Sequence, residues 1–390
     1  MKIYLLNNNT CTRVKLYGID VKNNFLCNEH TITNKIEDAD IILVNTCSFL
    51  KSKEEYFVKL IKELYNNKKT SQRIAVIGCL PNVNRQAIEE IGSDILMFAR
   101  DINEIKSHFN LTNSPITKAT CVKDKLRFKQ KILYWFNKLI LHSKHIEYRL
   151  KRNKVCYLQI STGCLGRCAY CSERFITKLK SRPVEEIIDA IKDGYARGYR
   201  LFALNSDDAS AYGKDLGTSL ENLLLKVIEM KENFHITIPE FNPGGLTPKV
   251  LECLKNKKFL YITIPIQSGS QKILNLMRRP YNIEEVIEKV RIIRVLNKKL
   301  KINTHIIVGF PGETEEDFNA TKKVLESGLF DRVKVFKYSE RPNTEALMLP
   351  DKVDPKIKDF RALKLLKTMK KANLKKLSLT NLILNKEQIK

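Results

Sequence analysis

Ser161-Thr162-Gly163-Cys164-Leu165-Gly166-Arg167-Cys168-Ala169-Tyr170-Cys171 follows directly on a strand-like run, Tyr157 to Ser161, and sets three cysteines on one short loop. Thiolate is a soft ligand, and three thiolates at C-x3-C-x2-C spacing suit three corners of a [4Fe-4S] cube. No nearby Cys or His supplies a fourth ligand, so one iron would stay open for another molecule. A structural zinc ordinarily takes four protein ligands, and the motif fits zinc less well.

Downstream of this loop the chain alternates apolar strands with amphipathic helices. Strands are expected at Tyr157 to Ser161, Leu201 to Asn205, Phe234 to Ile238, Tyr261 to Ile266, Lys301 to Val308 and Arg332 to Tyr338. Six strands with helices between them predict a partial (β/α)6 barrel of the TIM type, with its site at the strand C-terminal ends. Upstream, Lys2 to Asn7, Ile41 to Val44 and Arg73 to Ile77 read as strands, and Ser52 to Tyr65 and Val83 to Ile91 as helices. That alternation predicts a parallel, flavodoxin-like α/β unit. Cys11, Cys47 and Cys79 each follow or end one of its strands. Any one of them alone would read as a buried packing residue, but strand C-termini converge on one sheet edge, where the three can meet.

The expected organisation is therefore residues 1–110, a basic linker 111–154, the barrel 155–348 and a basic helical tail 349–390. Lys123 to Lys154 carries eleven basic and two acidic residues, and within it Trp135, Phe136, Leu139 and Ile140 suggest a helix packed across the domains or lying on a membrane surface. Formal net charge is +26, which suits a polyanionic partner. The same charge would also follow from a compositional bias toward Lys, Asn and Ile. No apolar run approaches the roughly 20 residues that span a bilayer, and the N-terminus lacks a signal-peptide pattern. These features place the protein in the cytoplasm, where ten cysteines are better read as ligands than as disulfides.

With Tyr170 before its last cysteine, the loop resembles the signature of the radical S-adenosylmethionine (SAM) superfamily. Cys11, Cys47 and Cys79, together with Pro265-Ile266-Gln267-Ser268-Gly269-Ser270, Met277-Arg278-Arg279 and Gly309-Phe310-Pro311-Gly312-Glu313-Thr314, narrow the resemblance to the methylthiotransferases over residues 1–348. The resemblance implies two [4Fe-4S] clusters. Cys164, Cys168 and Cys171 would hold the one whose open iron takes SAM and whose electron cleaves it to a 5'-deoxyadenosyl radical. Cys11, Cys47 and Cys79 would hold the one that carries sulfur to the activated carbon. It further implies a flavodoxin or ferredoxin as electron donor, and the chain is expected to act as a monomer.

Strand-end positions are the candidates for contacting SAM: Tyr170, Ser206, Asp208, Asn242, Gln267, Gly269, Gly309 and Gly312. For the glycines a tight βα turn is an equally good reading. Arg182, Arg278 and Arg279 are candidates for a phosphate or carboxylate. Cys27, Cys121, Cys156 and Cys253 match nothing in the pattern and read as packing residues. Family members generally carry a C-terminal TRAM β-barrel that docks the substrate, and no alternating strands follow Leu349 here. Gln267-Ser268-Gly269 and Arg341-Pro342-Asn343-Thr344 lean toward tRNA N6-threonylcarbamoyladenosine as substrate. Asn45 to Phe49 and Phe336-Lys337-Tyr338-Ser339 lean toward a protein or peptide side chain. A non-enzymatic iron-sulfur protein that binds nucleic acid is the contrasting class, disfavoured because both cysteine sets lack a fourth ligand.

Overall fold

The computed structural model describes residues 1–114, 155–371 and 375–376. The basic segment Lys123 to Lys154, its expected helix and Cys121 lie outside the described residues.

Apolar β-branched runs make the first sheet. Its strands are Lys2–Leu6 (β1), Thr31–Ile32 (β2), Ile41–Thr46 (β3), Arg73–Gly78 (β4) and Leu96–Phe98 (β5), all parallel in the order β2-β1-β3-β4-β5. This is the doubly wound, flavodoxin-type order. The central strand β3 is buried along its whole length, as expected where helices cover both faces. Helices Thr12–Leu26 (α1) and Lys51–Asn67 (α2) follow β1 and β3. Val14, Leu16, Tyr17, Val21 and Phe25 recur on the buried face of α1, a helix the sequence reading missed. The single helix expected over Val83 to Ile91 is instead two turns, Leu80–Val83 (α3) and Gln86–Glu89 (α4). Asn84 breaks it: its amide donates to Glu54 Oε1 at 2.7 Å, and its carbonyl oxygen accepts from the Ala87 N–H at 3.3 Å. Ile102–His108 (α5) closes the unit, capped by the Asp101 carboxylate.

The second sheet contains Val155–Gln159 (β6) and, beyond the small antiparallel pair Ser161–Thr162 (β7) and Lys180–Ser181 (β8), Leu201–Asn205 (β9), His235–Ile238 (β10), Phe259–Thr263 (β11), Lys301–Val308 (β12) and Arg332–Lys337 (β13). All six expected barrel strands are present, within a few residues at their ends. Between them run Val184–Ala196 (α6), Leu220–Glu229 (α7), Pro248–Leu254 (α8), Gln271–Leu276 (α9), Ile283–Leu296 (α10) and Glu315–Glu326 (α11). Side chains from β6 and β9 to β13 line one lumen, the geometry of an incomplete barrel. The tail is helical over Pro355–Lys371 (α12), but not throughout. Lys375–Lys376 (β14) pairs parallel with β13 and adds a seventh strand. Arg361 of α12 is buried on the barrel, its guanidinium 2.7 Å from Glu313 Oε2. No helix among the described residues is long and apolar enough to cross a membrane.

The two sheets meet through specific contacts. Ile176 of the barrel is buried in the first domain's core, worth roughly 2 kcal/mol of transfer energy. Asn82 donates to the Phe175 carbonyl at 2.8 Å, and Arg341 pairs with Glu54 at 2.7 Å while donating to the Ser48 carbonyl.

Gly78 is the constrained point of the first sheet. Its φ is +97°, and a Cβ there would collide with the Thr46 carbonyl. Gly78→Ala should cost about 2 kcal/mol or more, read as a lowered urea midpoint, and should displace Cys79 from its neighbours.

Candidate active site

Each cysteine of the first domain sits where a strand hands over to a helix. Cys11 is the N-cap of α1, Cys47 follows β3 and Cys79 is the N-cap of α3. This edge is the switch point between β1 and β3, where doubly wound folds bind ligands. Cys11 and Cys47 share a hydrogen bond, which holds the Cys11 thiol well below its ordinary pKa and pushes that of Cys47 up. Burial pushes Cys79 up to about 12. Backbone N–H groups of Val14 and Phe49 reach Cys11 and Cys47, the kind of donor that stabilises a thiolate ligand.

Cys164, Cys168 and Cys171 occupy the loop after β7. The Gly166 N–H donates to Cys164 Sγ at 3.2 Å and Arg279 Nη1 to Cys168 Sγ at 3.4 Å. A Cβ on Gly166 would sit 3.2 Å from Cys164 Sγ and 3.8 Å from Cys168 Sγ, so only glycine leaves the space between these sulfurs free. Burial raises Cys171 and takes Cys164 up to about 12, helped by Asp208. Among the described residues no three Cys, His, Asp or Glu close around a single ion. Three thiols that each take a different iron of a cube stand farther apart than ligands of one ion. With donor type and cradle alike, the set fits an iron-sulfur cluster.

Beside this loop opens a cavity of about 1190 Å³, mouth included. Tyr170, Asp208, Asn242 and Gln267 line it together with Cys164, Cys168, Cys171, Arg279 and Tyr338. Gln267 has φ +64°, a costly conformation for glutamine. Among the described residues its buried Oε1 has no hydrogen-bond partner, and neither has Tyr338 Oη. Unmet polar atoms on a cavity wall fit a polar cofactor such as SAM. Ser206 is buried behind this wall with its Oγ also unpartnered. Asp208 accepts from Ser210 N–H at 2.9 Å and Asn242 N–H at 3.2 Å, tying two strand ends together. The three glycines are placed elsewhere. Gly269 abuts the backbone of Thr321, Gly309 abuts Lys358 and Gly312 abuts Leu276, which makes each a packing turn. Arg182 donates to the Gln159 carbonyl and Arg278 pairs with Glu345, so neither faces the cavity. Cys156 and Cys253 are core residues, but Cys27 is exposed at the C-cap of α1 rather than in a core.

The sequence reading missed a charge cluster between the two cysteine sets. Asp207 Oδ1 lies 2.8 Å from Arg13 Nη1, Oδ2 pairs with Arg100 and accepts the Gly163 N–H at 2.6 Å, and Glu173 lies 3.5 Å from Arg13 and 3.6 Å from Arg100. Burial pushes Asp207 up, but Arg100, Arg13 and the Gly163 N–H outweigh it and hold the carboxyl below its ordinary range. The available signal was adjacency: Arg13 and Glu173 each stand two residues beyond a cysteine, and Asp207 lies between two candidates already chosen.

Residues 158–325 match the Radical SAM superfamily, and residues 18–99 match an uncharacterized protein family, UPF0004. The fold and the three-cysteine loop thus define a radical SAM enzyme. A probable threonylcarbamoyladenosine tRNA methylthiotransferase of Pyrococcus horikoshii is 31% identical over 351 residues, 89% of this chain and 79% of that protein. Its namesake in Archaeoglobus fulgidus is 28% identical over 361 residues, 91% of this chain and 80% of that one. The ribosomal protein uS12 methylthiotransferase RimO of Pelobacter propionicus is 30% identical over 360 residues, 89% and 77% respectively. Among solved structures, the radical SAM methyltransferase TsrM from Kitasatospora setae shares the fold at TM-score 0.62 and 12% identity, over 89% of this chain and 74% of that one. The chain belongs to the radical SAM methylthiotransferases, enzymes whose family implies a [4Fe-4S] cluster and SAM.

Removing one member of a buried charge set leaves its partners uncompensated, at about 3 kcal/mol or more. Asp207→Asn should therefore lower the thermal midpoint markedly more than Asp189→Asn, whose carboxylate is exposed on α6. Equal shifts in calorimetry would refute the reading of this cluster.

Proposed function

We propose that the protein methylthiolates a tRNA adenosine of the N6-threonylcarbamoyl type, using one [4Fe-4S] cluster on Cys164, Cys168 and Cys171 and a second on Cys11, Cys47 and Cys79. The observation that carries the substrate is the cavity mouth. There Phe49 is 45% exposed and meets Phe336 edge-on at 5.5 Å, with Lys334 close to both rings. An aromatic face beside an ammonium suits an unstacked base that carries an anionic group, and stacking of splayed bases on aromatic rings is the usual mode for single-stranded RNA. The net charge of +26 and the names of the archaeal relatives agree with this reading.

When bound, the clusters and SAM supply single-electron cleavage of SAM, hydrogen abstraction from carbon, and sulfur. The chain's own groups orient them. Arg279 and the Gly166 N–H hold two of the thiolates, while Tyr170, Asp208, Asn242 and Gln267 present a wall to SAM, with Ser206 behind them. Arg13 and Arg100 place positive charge beside the first domain's cysteines. We place the reaction in the cytoplasm, with a flavodoxin- or ferredoxin-type reductant.

Anaerobically reconstituted protein should hold about eight irons, and the Cys11/Cys47/Cys79→Ala triple variant about four, because each three-cysteine set binds one cube. That variant should still form 5'-deoxyadenosine but no methylthiolated product. Parent iron near four would remove the second cluster from the proposal. For the substrate, nucleoside mass spectrometry of tRNA from a deletion strain should show loss of a methylthio adenosine derivative. Intact tRNA beside an unmodified ribosomal-protein peptide would transfer the assignment to protein. Binding to tRNA should also weaken with salt, and replacing exposed Lys356 and Lys367 by Gln should flatten the slope by up to about 1.5 log units per log unit of salt.

A further inference from the structure

The cavity beside the barrel cysteines and the barrel lumen share four wall residues, Arg13, Phe49, Glu240 and His305. This shared wall lies between the two cysteine sets. Lys334 of β13 faces the lumen beside it. Its ammonium stands 4.6 Å from the Phe336 ring centroid and 5.9 Å from that of Phe49. Among the described residues no ion pair or hydrogen bond reaches that nitrogen.

The neighbouring cations are all engaged. Arg13 pairs with Asp207 at 2.8 Å, Arg279 donates to the Pro265 carbonyl at 2.9 Å and Arg341 pairs with Glu54 at 2.7 Å. A largely buried ammonium without a close ion pair is costly to keep, and burial pushes its pKa down against the opposing pull of Glu240. Across the lumen Glu240 is equally unspent. Its Oε2 comes no nearer to a cation than 3.9 Å from His305 Nδ1, and that imidazole, pushed down to about 3 by burial and by Lys334, is neutral at pH 7. Burial takes Glu240 itself up to about 7. The lumen thus offers an amine and an acid that act on each other's charge without forming a close ion pair, next to an aromatic pair, with Cys11 and Cys47 also near enough to act on the amine.

A threonine joined through its nitrogen and a carbonyl to adenine N6 keeps a free carboxylate, a hydroxyl and urea-type N–H groups. Plain adenosine offers neither the carboxylate nor the hydroxyl at that place. Resting on the tRNA reading above, we infer that Lys334 is the specificity residue that binds the carboxylate of the N6-threonylcarbamoyl group, with Glu240 accepting from its hydroxyl or urea N–H while Phe49 and Phe336 carry the purine. The charged hydrogen bond selects the modified base. Its place beside Cys11 and Cys47 holds that base against the sulfur-bearing side of the site.

The test uses reconstituted protein and three versions of one tRNA-derived stem-loop RNA, carrying threonylcarbamoyladenosine, its carboxylate methyl ester, or plain adenosine. Parent protein should bind the free acid about tenfold more tightly than the ester, the scale of one charge-assisted hydrogen bond. Lys334→Met should bring acid and ester to equal affinity, and Lys334→Arg should restore most of the difference. Iron content equal to the parent's shows that each variant is folded and loaded. A Lys334→Met protein that keeps the full preference for the acid overturns the assignment while leaving the tRNA reading intact. A parent that binds none of the three RNAs, yet binds a ribosomal-protein peptide, overturns both.

Discussion

Two arginines and two carboxylates, Arg13 and Arg100 with Asp207 and Glu173, hold the site together. Each charge has an opposite partner, so the set is neutral as a whole. Burying it is tolerable only because no member is left alone. The geometry matters more than the energy. Arg13 is on the first turn after Cys11, and Glu173 is just beyond Cys171. Asp207 also takes the N–H of Gly163, the residue before Cys164. Both cysteine loops are thereby referenced to one point at the domain junction. Two sites that act on one substrate need such a fixed separation, because small displacements of reacting groups are costly in rate.

The rest of the junction serves the same constraint. Ile176 anchors one side by apolar burial, and Arg341 clamps the other through Glu54 and the Ser48 carbonyl. Ser48 and Phe49 directly follow Cys47, so the clamp also sets the aromatic face that opens to both cavities. Two left-handed backbone positions also fall here. They are Gln267, in the turn beyond β11, and Gly78, the last residue of β4.

Most of the architecture was legible in the sequence, for identifiable reasons. Strands such as Leu201–Asn205 and Lys301–Val308 are apolar runs bounded by polar turns, and their limits came out as read. The six cysteines stood out because three share one short loop after a strand and the other three each follow a strand of the first sheet. Helix α1 was missed because Lys, Asn and Asp dilute its apolar face, leaving tertiary packing of Val14, Val21 and Phe25 to stabilise it. Gly269, Gly309 and Gly312 looked like cofactor contacts because glycine turns and glycine cradles have the same sequence appearance. Only the neighbouring atoms, Thr321, Lys358 and Leu276, distinguish the two. The charge cluster had only adjacency to the cysteines and to Ser206 and Asp208 to mark it. Arg13, Arg100, Glu173 and Asp207 are far apart in the chain, and single charged residues carry no periodicity by which to find them.

The hollow lumen follows from the incompleteness of the barrel. A closed (β/α)8 barrel fills its interior with layers of bulky branched side chains. Here β6 and β13 do not pair, and the inward positions mix small Ala203 and Thr237 with Tyr157, Tyr261, His305 and Lys334 rather than stacking in apolar layers. The first domain covers this chamber with Cys11, Thr12, Arg13 and Phe49. An apolar lid alone would favour collapse of the void, since empty apolar space forfeits dispersion contacts. Lys334, Glu240 and His305 instead line it with polar groups that require either water or a ligand. A chamber built this way is stable when filled by something polar, and its walls come from both domains, so neither sheet alone can form it.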